Sequence, residues 1–166
     1  MVNEVVKRGT VIGSPRTLRE LSVRQEFISF YEHIRRLNVR LFVVSNQPDI
    51  ARNLMDPQQL REITLALQKR FSFNEISYCT HDDDDQCSCR KPQPGLITSI
   101  INKYGLRKED CVMIGDGAKD ILAGNNAGIE TVLLKRYHNK GLSCVPTYSV
   151  DSLDDVLSLN ILRNSR

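Results

Sequence analysis

Two apolar runs rich in β-branched residues, Arg40-Leu41-Phe42-Val43-Val44-Ser45 and Cys111-Val112-Met113-Ile114-Gly115-Asp116, each end abruptly in polar side chains. Short continuous runs of this kind suit strands buried on both faces, which belong to parallel sheets covered by helices. Glu75-Ile76-Ser77-Tyr78 and Thr131-Val132-Leu133-Leu134 are two more strand candidates, and 147–150 is a weaker one. Four or five mostly parallel strands are therefore expected. Helical patterns lie between them. Phe27, Phe30, Tyr31, Ile34 and Leu37 recur at spacings of three and four, which puts them on one helix face. Asp56-Pro57 has the form of an N-cap followed by proline at the first helical position, and Leu60, Ile63 and Leu67 continue it as an apolar stripe. Further helices are expected over 94–104, 119–127 and 153–162. The alternation predicts an α/β fold, a doubly wound and mostly parallel sheet with flanking helices, whose ligand sites lie beyond the carboxyl ends of the strands.

With 166 residues, 40% of them hydrophobic, the chain is long enough for one core and too short for two, so a single domain over 1–166 is expected. Lys plus Arg number 23 against 20 Asp plus Glu, which leaves no basic stripe of the sort a nucleic-acid surface needs. The sequence has no apolar run of transmembrane length and no signal-type segment after Met1, which predicts a soluble, cytoplasmic protein with no membrane partner. The five cysteines are an odd number, and Cys79, Cys87 and Cys89 fall within eleven residues. Metal binding in a reducing compartment accounts for that better than disulfides.

Three strand ends or following loops deliver polar residues in order: Ser45-Asn46-Gln47, Arg90-Lys91-Pro92 and Gly115-Asp116-Gly117-Ala118-Lys119-Asp120. Each has an ordinary structural explanation, respectively a local turn, a solvated charge before a helix, and an acidic helix start facing the positive end of the dipole. Taken together, their order and spacing resemble the haloacid dehalogenase (HAD) superfamily of phosphatases. Residues 45–52 are similar to that family's second motif, 89–95 to its third, and 114–116 with Asp120 to its fourth. The likeness runs over about 3–135 and is specific to the branch of heptose bisphosphate and histidinol phosphate phosphatases.

The resemblance implies a phosphatase of a small sugar phosphate or amino-alcohol phosphate, a phosphorylated metabolite being the partner. Ser45 would donate its hydroxyl, and Asn46 a backbone or side-chain N–H, to phosphate oxygens. Lys91 would offset phosphoryl charge, and Asp116 would bind Mg²⁺ with Asp120 supporting the loop or the metal shell. Lys91 and Asp116 are the catalytic candidates. Arg90 is either a substrate-facing guanidinium or a solvated surface arginine.

A second metal signal stands more on its own. Cys79, His81, Cys87 and Cys89 provide three thiolates and an imidazole, the ligands of a closed, tetrahedral, structural zinc site. The spacing is not that of a zinc finger, but it is that of the zinc loop in this phosphatase branch, here covering about 79–89. The loop ends directly at Arg90-Lys91, so metal would fix the backbone that aims the lysine. Asp82 to Asp85 lack the glycine and distal glutamate of an EF-hand and are expected to form a solvated acidic loop. Cys111 is expected to be a small core residue on its strand, Cys144 has no assigned role, and His33 and His138 are expected at the surface or an edge.

One family element is not in the 166 residues: an Asp-x-Asp-Gly motif, which in the family carries the nucleophilic and acid/base aspartates at the end of the first, central strand. Met1 to Val6 are similar to the family's residues immediately after that motif. The expectation is a sheet lacking its first, central strand, open-edged and prone to self-association, and a chain inactive as it stands. The alternative is a non-catalytic, zinc-stabilised module that binds a phosphorylated metabolite or a protein.

Overall fold

In a computed structural model of the chain, the described residues are 1–136 and 144–162. His138 lies outside them. The chain opens with a small antiparallel hairpin, β1 (Val6–Arg8) and β2 (Val11–Gly13), followed by α1 (Gln25–Ile34). Two parallel sheets come next. One pairs β3 (Phe42–Asn46) with β4 (Glu75–Cys79), in a register that sets Phe42 beside Glu75 and Asn46 beside Cys79. The other orders β5 (Val112–Gly115), β6 (Glu130–Leu134) and β7 (Tyr148–Val150) side by side. Helices α2 (Pro57–Arg70), α3 (Gly95–Tyr104), α4 (Ala118–Ala127) and α5 (Leu153–Ser158) alternate with these strands.

Among the described residues, no ladder joins β3 to β5. The sheets are nonetheless parts of one body, because a single buried cluster unites Phe27, Phe30, Ile63 and Leu67 from α1 and α2 with Val132, Leu134, Val150 and Leu153 from the β6–α5 side. A second cluster, Ile97, Ile101, Ala123, Ala127 and Ile129, packs α3 against α4 and takes in Val44 of β3 and Met113 of β5. The architecture is thus α/β with parallel strands and flanking helices, the parallel strands falling in two sheets among the described residues.

Local sequence explains most element ends. Asp56 accepts the Gln58 N–H at 2.6 Å and Pro57 opens α2. Gly105 and Gly128 close α3 and α4 in the left-handed region, at φ 59° and 75°. Two expectations need correction. Helix α1 stops at Ile34, where the Leu37 N–H turns back to the Ile34 carbonyl at 2.9 Å, so Leu37 leaves the apolar face and is 41% exposed. Helix α5 stops at Ser158, and 160–162 form a separate 3-10 turn. No helix among the described residues is long and apolar enough to cross a membrane.

Candidate functional site

Three chain segments meet where β3 ends. Lys91 is 8% exposed, and its Nζ donates to the Val44 carbonyl of β3 at 2.8 Å and to Asp120 Oδ1, in the first turn of α4, at 2.6 Å. Asp120 also accepts the Gly117 N–H on Oδ2 at 3.1 Å. Room for its side chain comes from Gly115, where a Cβ would lie 2.2 Å from the Asp120 Cβ. The lysine ammonium is therefore held from two sides, by a strand carbonyl and a helix carboxylate.

The side chain of Asn46 is engaged within the protein. Its side-chain amide donates to the Lys91 carbonyl and accepts the Lys91 N–H, both at 3.0 Å. The two bonds clamp the backbone of the lysine to the end of β3 and leave the backbone N–H as the group Asn46 can offer a phosphate. Ser45 Oγ accepts from Gln47 Nε2 at 3.2 Å, which leaves its own proton to donate. Asp116 follows β5 directly, and its Oδ2 lies 3.4 Å from the Met1 nitrogen.

Arg90 is no solvated surface arginine: its side chain is 10% exposed. Nε donates to Asp83 Oδ1 at 2.8 Å and Nη1 to the His81 carbonyl at 3.1 Å. Nor is the acidic loop merely solvated. Asp82 receives Arg52 in two bonds of 2.6 and 2.5 Å, and Asp85 caps the Asp82 N–H at 2.7 Å. The hydrogen bond from Arg90, then that from Lys119, hold the Asp83 carboxyl at about 2.

The four zinc-ligand candidates come together. Sγ of Cys79 lies 3.6 Å from Sγ of Cys87 and 3.6 Å from Nδ1 of His81, and Cys89 Sγ lies 3.5 Å from Cys87 Sγ and 3.3 Å from His81 Nδ1. A tetrahedron with metal–sulfur bonds of about 2.3 Å has sulfur–sulfur edges of about 3.8 Å, and shorter ones to nitrogen, so the donors are spaced for one tetrahedral ion. Desolvation raises the Cys87 thiol, but hydrogen bonds from Cys89, the Arg90 backbone and Cys79 outweigh it and hold it at about 7. Cys89, desolvated and beside the other two sulfurs, is pushed up to about 12. Three sulfurs with a nitrogen suit zinc. Cys79 is fully buried at the end of β4, and its carbonyl accepts the Gln47 N–H at 2.7 Å, which links the loop to the end of β3.

Other residues around the site went unread in the sequence. Arg16 reaches Asp49 Oδ2 at 2.6 Å and ties the segment after the hairpin to the loop after β3. Arg52 and Lys119 both reach the acidic loop. Their signal was only a charge complementary to four consecutive aspartates, and that pattern does not say which cation meets which carboxylate. Cys111 lies just before β5, half-buried, with Sγ 3.2 Å from the Arg107 carbonyl, not on the strand. His33 is at the exposed end of α1, with Nδ1 2.8 Å from the Ser29 carbonyl.

The HAD-hydrolase-like family model matches residues 88–156. The D-glycero-beta-D-manno-heptose-1,7-bisphosphate 7-phosphatase of Helicobacter pylori strain J99 is 37% identical over 109 residues, 62% of this chain and 63% of its own length. The histidine biosynthesis bifunctional protein HisB of Blochmanniella floridana is 26% identical over 141 residues, 78% of this chain and 40% of that protein. The matched stretch thus spans less than two thirds of either relative. Among solved structures, the D,D-heptose 1,7-bisphosphate phosphatase from B. bronchiseptica, complexed with magnesium and phosphate, superposes with a TM-score of 0.79 and 22% identity, covering 95% of this chain and 93% of that one. At that identity the likeness is one of fold.

Proposed function

We propose that this chain, HAD-like in fold and resembling in sequence the zinc-loop heptose bisphosphate phosphatases, is the phosphate-binding domain of a phosphomonoesterase for a small sugar phosphate or amino-alcohol phosphate. The observation that carries this is the setting of Lys91. A buried ammonium is aimed by β3 and α4, while its backbone is clamped by Asn46 and its loop is closed by four metal-ligand side chains. Such rigidity suits phosphoryl transfer, where the protein's task is to grip oxygens and offset charge.

Ser45 would donate its hydroxyl, Asn46 its backbone N–H, and Lys91 its charge to the phosphoryl group, with Arg90 facing the rest of the substrate. Asp116, with Asp120 supporting through Lys91 and the Gly117 loop, would hold Mg²⁺. Magnesium, when bound, supplies positive charge to the phosphoryl oxygens. Zinc on Cys79, His81, Cys87 and Cys89 would be structural, since a four-ligand site leaves no position for substrate. We assign 1–166 to a single cytoplasmic domain with the zinc loop at about 79–89, taking a small phosphorylated metabolite and neither nucleic acid nor membrane.

There is no Asp-x-Asp-Gly, Asp49 is engaged by Arg16, and Asp120 is engaged by Lys91. That favours, for the 166 residues by themselves, a second function: binding of a phosphorylated metabolite without turnover. The test common to both is calorimetric titration of the zinc-loaded protein with inorganic phosphate. Lys91→Ala should weaken binding at least tenfold. Equal affinity in the two proteins would remove Lys91 from the site and the proposal with it.

A further inference from the structure

Apart from the phosphate grip, a second set of charges converges on the acidic loop. Asp83 Oδ1 accepts from Arg90 Nε at 2.8 Å and from Lys119 Nζ at 3.3 Å, and Oδ2 lies 3.7 Å from Arg52 Nη2. These cations come from three places: the loop after β3, the end of the zinc loop, and the first turn of α4. The Asp83 side chain is 59% exposed, whereas that of Arg90 is 10% exposed. The shape of the loop does not depend on that carboxylate, because its caps come from Asp82 and Asp85. Asp83 also walls a cavity of about 400 Å³ whose lining includes Arg90 and Lys91, the two consecutive cations of the third motif.

An exposed carboxylate that holds buried and helix-borne cations without supporting any backbone behaves like a ligand. We propose that Asp83 is an internal anion occupying the place of a ligand's second anionic group, and that it sets the preference between singly and doubly phosphorylated ligands. This rests on the phosphate-binding function proposed above. With one phosphoryl group at Lys91, a second one entering the cavity displaces Asp83 from Arg90 and Lys119. The exchange is favourable because a phosphate ester brings close to two negative charges and three acceptor oxygens, against one charge and two oxygens for the carboxylate. The exposed aspartate is free to swing into solvent, while Arg90 stays fixed by the His81 carbonyl.

The experiment is calorimetric titration of the zinc-loaded 166-residue protein with two probes, inorganic phosphate and fructose 1,6-bisphosphate. The proteins are the parent, Asp83→Asn and Asp84→Asn. Asp84 lies in the same short turn, and removing its charge changes the net charge equally. Asp83→Asn should tighten the bisphosphate about fivefold, the size of one unit charge removed at about 4 Å in water, and leave phosphate within about twofold. Asp84→Asn should change neither by more than about twofold. Adding Arg90→Ala to Asp83→Asn should abolish the gain. A bisphosphate-to-phosphate ratio unchanged or lowered by Asp83→Asn, or an equal gain from Asp84→Asn, overturns the proposal. Zinc loss in Asp83→Asn would show a loop-supporting role and overturn it too. Phosphate binding that ignores Lys91→Ala would instead bring down the proposed function first, so the two failures are distinguishable.

Discussion

The reach of a short side chain decides what Asn46 can do. Its amide bonds both the N–H and the carbonyl of Lys91, so the loop carrying the lysine is tied to β3 by two hydrogen bonds from one residue. Asn46→Ala strands both backbone groups in a partly buried position, at about 1–3 kcal/mol of stability. It should also loosen Lys91, so phosphate affinity should fall several-fold while zinc content stays at the parent level. A variant that keeps full phosphate affinity in titration would show the clamp is dispensable. Cys87→Ser removes one of four ligands, and zinc content should drop to near zero by elemental analysis. The Tm should fall by about 6–12 °C, taking the lost metal coupling at roughly 3 kcal/mol or more. The identities of the metal-ligand candidates were legible because cysteines and a histidine at such spacing have few other uses. The roles of Asn46 and Asp83 were not. An amide or a carboxylate carries no label for its partner, and the partners can lie across the fold, Lys91 being 45 positions from Asn46.

The zinc loop and α3 depend on each other through one missing atom. A Cβ at Gly95 would lie 2.3 Å from the Ser88 carbonyl oxygen and 3.0 Å from the Cys89 Cα, and the Gly95 N–H already bonds that carbonyl at 3.0 Å. Neither contact is with a flexible side-chain end. Gly95→Ala should therefore push the backbone between two zinc ligands outward, at roughly 1–3 kcal/mol, although alanine is the better helix former. Faster zinc release to a chromogenic chelator is the measurement, and a release rate equal to the parent's would contradict it. The parallel strands and the helices between them were readable from apolar runs and periodicity. The hairpin was not, because β1 and β2 are three residues each, around Gly9 at φ 62°, and Val11 and Ile12 of β2 are 62% and 59% exposed. Too few residues repeat there to show a period. The ends of α1 and α5 were overrun for the opposite reason, since Leu37 and the residues after Ser158 keep an apolar spacing that the backbone has already abandoned.

At the scale of the molecule, the two parallel sheets share a core without sharing a ladder, and Lys91 bridges them by bonding β3 on one side and the first turn of α4 on the other. The proposed phosphate grip therefore sits on the line dividing the two halves. No Asp-x-Asp-Gly motif accompanies it in the 166 residues. Phosphate-ester hydrolysis is among the slowest uncatalysed reactions, and a grip on ground-state phosphate lowers KM-like terms without creating a nucleophile. Asp49 and Asp120 are bonded to Arg16 and Lys91, so neither is an unengaged carboxylate poised for in-line attack. The purified 166-residue polypeptide should accordingly show no magnesium-dependent release of phosphate from p-nitrophenyl phosphate or from sugar phosphates above a buffer blank. Attaching an Asp-x-Asp-Gly strand ahead of Met1 should create that activity, and Asp116→Asn should then remove most of it at limiting Mg²⁺. Lys91→Ala serves as the contamination control in both forms. Turnover by the 166 residues that vanishes in that control would mean that a carboxylate already in this sequence is the nucleophile.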